Sequence, residues 1–311
     1  MQTKTVTILM ATYNGASYIK NQILSLQQQK HRNWQLYIQD DGSKDRTVAI
    51  IKEMMLFDSR IHLIDNGPSG KGAGKNFISL VKYSNSYYTI FCDQDDIWLE
   101  NKISDMVEFA DSFCLGDCDA PSIVYADGYA FSDTTGEIDF SGISHNHADG
   151  LKDFLFFNGG YQGCSIMFNR AMTDFLTRYN GYIHLHDDIV SLTAHCLGQV
   201  HFLPKKLMLY RQHSNAVTGI KSFEKSIHKK IRSPVNYLLS RKHCAVKQSF
   251  YNNYHTLLSK ENAKIFDDFI LFCQTDNKLI EFIRLLHGGF RLNKSRGKLL
   301  LKFFLRRKFS E

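Results

Sequence analysis

YTIFCDQDDIW, residues 88 to 98, decides how the chain folds, because a buried-strand run, Tyr88 to Cys92, leads directly into Asp93-Gln94-Asp95-Asp96. Aspartates set just past a buried strand are costly unless water, a partner or a cation takes them up. Working outward to the N-terminus, short apolar runs alternate with amphipathic stretches: VTILMA (6–11), residues 17–28, LYIQ (36–39), residues 45–57, IHLI (61–64) and residues 75–83. This spacing predicts a parallel sheet covered by helices on both faces. Ligands of such sheets bind at the carboxyl ends of the strands. Thr12-Tyr13-Asn14, Asp40-Asp41-Gly42-Ser43 and Asp93 to Asp96 are therefore expected along one edge. Beyond about Ile123 the pattern is mixed, with a Gly-rich stretch at 158–165. After Lys221 it turns mainly helical, with Pro234 near one helix start and Gly288-Gly289 breaking another.

Asp93, Asp95 and Asp96 repel one another in a small space, and a divalent cation relieves that repulsion. Hard oxygen donors suit Mg²⁺ or Mn²⁺, which commonly bridge carboxylates to substrate phosphates, so the implied ligand is a diphosphate. Each acidic cluster also has a plainer reading. Asp93 to Asp96 can cap a helix beginning near Leu99, and Asp40 to Ser43 can be a turn with an N-cap. Two such clusters at strand ends, on a chain that opens strand-ATYN, favour the cation.

The sequence resembles the family 2 glycosyltransferases of GT-A fold. The matching blocks are MATYNG (10–15), QDDGSKD (39–45), GKNF (74–77), FCDQDDIW (91–98), GCSIMFNR (163–170), HDD (186–188) and LYRQHSN (209–215), together spanning roughly residues 4 to 219. Within the family the blocks are most similar to a rhamnosyltransferase-like branch that builds bacterial surface polysaccharide such as O-antigen or capsule. The resemblance implies an inverting, metal-dependent transfer from a nucleotide-diphospho-sugar to an acceptor hydroxyl, with dTDP-rhamnose the first donor to test and a UDP-glucose or UDP-galactose donor the alternative. It also implies residue roles. Thr12, Tyr13 and Asn14 belong to the donor site, with Tyr13 beside the nucleobase and Asp41 on its imide edge. Lys75 approaches the phosphates, Asp93 contacts the ribose or the metal shell, and Gln94 belongs to the donor site. Asp95 and His213 hold the metal, beside Arg211. Asp187 is the catalytic base, with Asp188 as the alternative because it stands where relatives often have Trp.

Composition bounds the rest. The 311 residues, 43% hydrophobic and 22% charged, match a folded catalytic domain with an appendage. We expect a GT-A catalytic domain over 1–220 and a helical basic region over 221–311. Seven cysteines without a CxxC pair predict reduced thiols in the cytoplasm. No secretory leader or spanning segment is visible. The net charge of +7 is uneven: residues 221–311 hold 20 Lys and Arg against 7 Asp and Glu, leaving the first 220 at −6. Residues 291–308 carry eight basic residues and no acidic one, interleaved with Leu and Phe. Such a segment suits either an anionic bilayer on the inner face of the cell membrane, where a lipid-linked saccharide acceptor resides, or packing on the catalytic domain. A nucleic-acid module draws support from this tail alone and is set against an acidic N-terminal part, so no nucleic-acid partner is expected. A nucleotidyltransferase would open with a Gly-rich basic loop, which ATYNG is not. GPSGKGAGKN (67–76) lacks the Walker A spacing, and His184, His186 and His195 lack a zinc pattern.

Overall fold

The computed structural model describes residues 4–64, 70–213 and 237–310. The first four long apolar runs form parallel strands: β1 (Val6–Thr12), β2 (Trp34–Asp40), β3 (Ile61–Leu63) and β4 (Tyr88–Cys92). On β1, Val6, Ile8 and Met10 enter one core and Leu9 the opposite one, as the two-residue period of a strand buried on both faces requires. Helices α1 (Ile19–Gln27), α2 (Thr47–Met55) and α3 (Ala73–Leu80) make the crossovers.

The second half adds β5 (Ile97–Trp98), α4 (Lys102–Asp111), β6 (Ile123–Ser132), β7 (Ile138–Asp139) and α5 (Leu151–Phe154). It continues through β8 (Ile166–Asn169), α6 (Arg170–Thr177), α7 (His186–Leu197) and β9 (Val200–Gln212). The sheet runs β3-β2-β1-β4-β8-β6-β9-β5, with β7 on β6. β8 is antiparallel to both neighbours and closes a curled, mixed α/β sheet. The helix expected near Leu99 starts at Lys102, because Ile97 and Trp98 first pair with Leu209 and Met208 of β9. That pairing carries the DQDD turn onto the strand that ends in Arg211-Gln212.

The C-terminal part comprises β10 (Tyr237–Leu239), α8 (Arg241–Tyr254), α9 (Lys260–Gln274), α10 (Lys278–His287), α11 (Arg296–Leu305) and β11 (Arg307–Phe309), with β10 and β11 forming a parallel ribbon. Its Phe250, Phe266, Phe272 and Phe303 share one core cluster with Leu9, Phe77 and Phe91 of the catalytic part. Buried Lys247 of α8 reaches into that part as well, donating to the carbonyls of Leu155 and Phe157 at 2.9 and 2.6 Å. The expected 220/221 boundary and Pro234 lie outside the described residues. All seven cysteines are free thiols. No helix among the described residues is long and apolar enough to cross a membrane.

Asn169 ties the second half together where β8 meets α6. Its Oδ1 accepts from the backbone N–H groups of Ser122 and Met172, and its Nδ2 is shared among the carbonyls of Leu115, Cys118 and Ala120, all with the residue 1% exposed. Asn169→Ala strips partners from several buried polar groups at once, so it should cost about 3 kcal/mol of unfolding free energy. Urea titration checks this; a loss below about 1 kcal/mol would mean that water replaces the amide.

Candidate active site

A cavity of about 660 Å³ opens at the carboxyl ends of β1, β2 and β4. Its near wall is built by local turn chemistry. Asp40 ends β2 and accepts from Thr12 Oγ1, from the N–H groups of Gly42 and Ser43, and from Ser43 Oγ. Gly42 adopts φ +92°, a left-handed turn that side-chain-bearing residues avoid. The TYN turn docks on this loop: Asn14 N donates to Ser43 Oγ at 2.8 Å, and Asn14 Oδ1 accepts from Lys44 N at 2.8 Å. Gln94 clamps the same turn from the other side through both Tyr13 N and Tyr13 O, each at 3.0 Å. Tyr13 itself is 56% exposed at the cavity edge.

The acidic wall is set by β9. Arg211, 7% exposed, donates its N–H to Asp96 Oδ1 at 3.1 Å, its Nε to the Asp95 carbonyl at 2.7 Å and an Nη1 to Asp133. His213 Nε2 lies 2.8 Å from Asp95 Oδ2, and its ring stacks on Tyr18 at 4.6 Å. Burial first, then the charge of Asp95, raises the Asp93 carboxyl to about 7. Burial also pushes Asp96 well up, and among the described residues no N–H or O–H donor meets Asp96 Oδ2.

The far wall is the first turn of α7. Asp187 faces the cavity, and burial, followed by the charges of Asp188 and Asp93, holds its carboxyl well above the ordinary carboxylate range. Asp188, 5% exposed, turns away and pairs with His243 Nδ1 of α8 at 2.7 Å. A Cβ on Gly160 would stand 2.2 Å from the Asp187 carbonyl, so only glycine lets that loop brace the turn. His186 sits against the Phe77 and Phe91 rings, and burial lowers its pKa to about 3, leaving a neutral imidazole.

Of the residues expected from sequence, Thr12, Tyr13, Asn14, Asp41, Asp93, Gln94, Asp95, Asp187, Arg211 and His213 line this one cavity. Lys75 stands exposed on α3 outside its wall, and Asp188 is behind it. The Asp41 carboxylate accepts from the N–H groups of Lys71 and Gly72, each at 2.9 Å. Ser214 and Asn215 of the YRQHSN block lie outside the described residues. The cavity also takes in Tyr18, Gln162 and Tyr210, which sequence reasoning passed over. Tyr18 sits in the loop after β1, and Gln162 lies in the Gly-rich stretch, so position alone marked them for attention.

A hard divalent cation fits one of two acidic groupings. Asp93, Asp96 and Cys164 bring ligand atoms within 4.8 Å of one another. The Cys164 thiol, however, is pushed up by burial and by neighbouring aspartates and so stays protonated, a poor ligand for Mg²⁺ or Mn²⁺. Asp95 and His213 offer a carboxylate and an imidazole at the cavity surface, close enough for one cation to replace the proton they share, with Asp93 alongside.

A half-parallel sheet with a strand-end cavity and facing carboxylates defines a nucleotide-diphospho-sugar transferase of GT-A fold. The chain belongs to glycosyl transferase family 2, whose model matches residues 7–172. It is 30% identical over 234 residues to the dTDP-rhamnosyl transferase RfbG of Shigella flexneri, covering 71% of this chain and 78% of that protein. Among solved structures it is similar to S. aureus TarS 1-349 in complex with UDP-GlcNAc, with a TM-score of 0.55 at 14% identity over 96% of this chain and 89% of that one. The mannosyltransferase PcManGT from Pyrobaculum calidifontis, in complex with GDP-Man and Mn²⁺, gives 0.53 at 11% identity, covering 96% and 79%. The chain is therefore a glycosyltransferase that uses a nucleotide-sugar donor.

Mn²⁺ held by Asp95 and His213 should raise the melting temperature, because a ligand at 100 times its Kd adds about 2.7 kcal/mol to folding stability. Asp95→Ala should abolish that rise while the metal-free protein still unfolds cooperatively. An undiminished Mn²⁺ shift in the variant would place the cation elsewhere.

Proposed function

We propose that the enzyme transfers rhamnose from dTDP-rhamnose, with inversion and with a divalent cation, to an acceptor hydroxyl in surface polysaccharide assembly. The likeness to RfbG over most of both chains supports the sugar. The mechanism is carried by one observation: Asp187 faces Asp93 and Asp95 across the same cavity, while Asp188 is turned away and paired with His243. The acceptor saccharide is lipid-linked in this reading, so the enzyme works at the inner face of the cell membrane.

In this mechanism Asp187 takes the proton from the acceptor hydroxyl as that oxygen bonds to the anomeric carbon. The bond from that carbon to the diphosphate oxygen breaks on the opposite face, and the diphosphate leaves with the electron pair. A cation held by Asp95 and His213 would supply charge stabilisation for the departing diphosphate. Arg211 keeps the DQDD turn in place, and Tyr13 stands where a nucleobase can lie against its exposed ring. His243 fixes Asp188, and so the register of the turn that presents Asp187.

Asp187→Asn should cut turnover about 10²- to 10⁴-fold with donor affinity kept, since the amide has the same shape but accepts no proton. Asp188→Asn should be milder; a dead Asp188→Asn beside an active Asp187→Asn would shift the base by one residue. Because only ionised Asp187 can act as a base and its carboxyl is held high, turnover should climb with pH through a midpoint above the ordinary carboxylate range and then level off. A donor panel with Mn²⁺, read by release of nucleoside diphosphate, tests the sugar. Turnover with UDP-glucose or UDP-galactose and none with dTDP-rhamnose would overturn the rhamnosyl reading.

A further inference from the structure

Helix α11 buries Leu299 and Phe303 but leaves Leu301, Phe304 and Leu305 in solvent. Helix α10 does the same with Leu279, Ile280 and Ile283, and these six side chains are 43 to 70% exposed. On each helix the exposed residues recur at intervals of three and four, so each row occupies one face. The Phe282 ring of α10 lies 5.5 Å from that of Phe304, joining the two rows into one apolar surface. Isolated apolar side chains are ordinary on a protein surface; a continuous two-helix patch is not.

The patch is held in position. Ser295 caps α11 by accepting from Lys298 N, and β11 follows the helix directly to pair with β10. Lys308 of β11 reaches back to Glu281 of α10 at 3.2 Å. The two helices are therefore tied to each other and to the β-ribbon before any partner arrives, which lowers the ordering cost of docking.

Its border is basic. Between Glu281 and Glu311 the sequence holds no acidic residue. Lys298 and Lys302 on α11 and Arg306 just past its end form a basic row, and among the described residues none of them has an acidic partner. Burial, then the charges of Arg306 and Lys298, lowers the Lys302 pKa, so an anion beside this row would relieve crowding. A second copy docked through this same face would bring a second set of cations to a rim without acidic residues, since a two-fold interface uses the same patch on both subunits. An apolar face rimmed by lysine and arginine matches instead the headgroup boundary of an anionic bilayer.

We infer that α10 and α11 together form a docking face for an anionic lipid bilayer, with Leu279, Ile280, Ile283, Leu301, Phe304 and Leu305 entering the headgroup boundary and Lys298, Lys302 and Arg306 meeting lipid phosphates. This deepens the proposed transfer to a lipid-linked acceptor and rests on it only for its purpose. The face assigns half of the contact to α10, whose sequence gives no basic run to announce it.

The test is flotation of the full chain with vesicles of phosphatidylcholine alone or mixed with phosphatidylglycerol, beside calorimetric titration of nucleoside diphosphate. Wild type should float with the mixed vesicles and not with phosphatidylcholine, and added salt should release it. The α10 pair Leu279→Gln/Ile283→Gln and the α11 pair Leu301→Gln/Phe304→Gln should each lower the bound fraction about 10-fold or more while nucleotide binding is kept. Leu56→Gln/Phe57→Gln removes two still more exposed apolar side chains just past α2 and should change neither readout. Wild-type flotation by the α10 pair, or equal flotation on both vesicle types, overturns the proposal. So does a wild-type dimer that the same substitutions dissociate without any vesicle binding, which would make the face a self-association surface. Loss of nucleotide binding by wild type itself would strike the donor reading and leave the docking result standing.

Discussion

Mutual repulsion among carboxylates governs how this molecule is put together. Asp93, Asp95 and Asp187 line one cavity with Asp96 buried beside them, and burial raises Asp93, Asp96 and Asp187 above their ordinary range. One buried cation, Lys102, opposes the repulsion. Arg211 enters from β9 and holds the turn by hydrogen bonds, its Nε on Asp95 O and its backbone N–H on Asp96 Oδ1, while its guanidinium pairs with Asp133. Lys102 lies beneath it, wholly buried, with its ammonium 3.9 Å from the centre of the Trp98 ring and donating to the Cys164 carbonyl at 2.6 Å. Its charge lowers both Asp93 and Asp96 but does not cancel their desolvation. The start of α4 at Lys102 places this cation, and the pairing of β5 with β9 brings Arg211 to the turn as a hydrogen-bond donor, so the local topology serves the acidic cluster in both ways.

This division of labour explains why several residues in the recognisable motifs brace backbone. Asn14 and Gln94 both line the cavity, yet each spends its amide on neighbouring turns. Asp40 receives four hydrogen bonds that hold the loop bearing Asp41. A donor arriving at this edge finds a preformed wall, which reduces the ordering entropy that binding must overcome.

The parallel half of the fold was legible from residues 6 to 92, because strands buried on both faces read as unbroken apolar runs and their helices as amphipathic ones. The convergence of three polar clusters followed from the strand-end rule alone. The second half was less legible. β8 is only Ile166 to Asn169 and antiparallel to both neighbours, and β5 is two residues long, so neither has a periodicity to read. Lys102 and Cys164 carry no local signal of their burial beneath the acidic turn, since that burial is decided by contacts some 60 residues apart in sequence. Lys75 was the opposite case. Its block matched the family pattern, but its side chain points to solvent from α3.

The choice between Asp187 and Asp188 shows where sequence reading stops and tertiary contact takes over. The two carboxylates are adjacent on one helical turn, separated by about 100°, so they face different surroundings whatever their chemistry. What separates them is α8, which comes from the basic C-terminal region and sets His243 within 2.7 Å of Asp188. Buried Lys247, one turn further along α8, fastens that helix to the carbonyls of Leu155 and Phe157, next to the glycines that hold the Asp187 turn. The C-terminal helices therefore do two separate jobs: α8 holds Asp188 away from the cavity that Asp187 lines, while α10 and α11 carry the exposed apolar rows. Because Phe250 of α8, Leu285 of α10 and Phe303 of α11 belong to one continuous core cluster, the helix that pairs with Asp188 and the helices that carry the apolar rows are parts of one packed body.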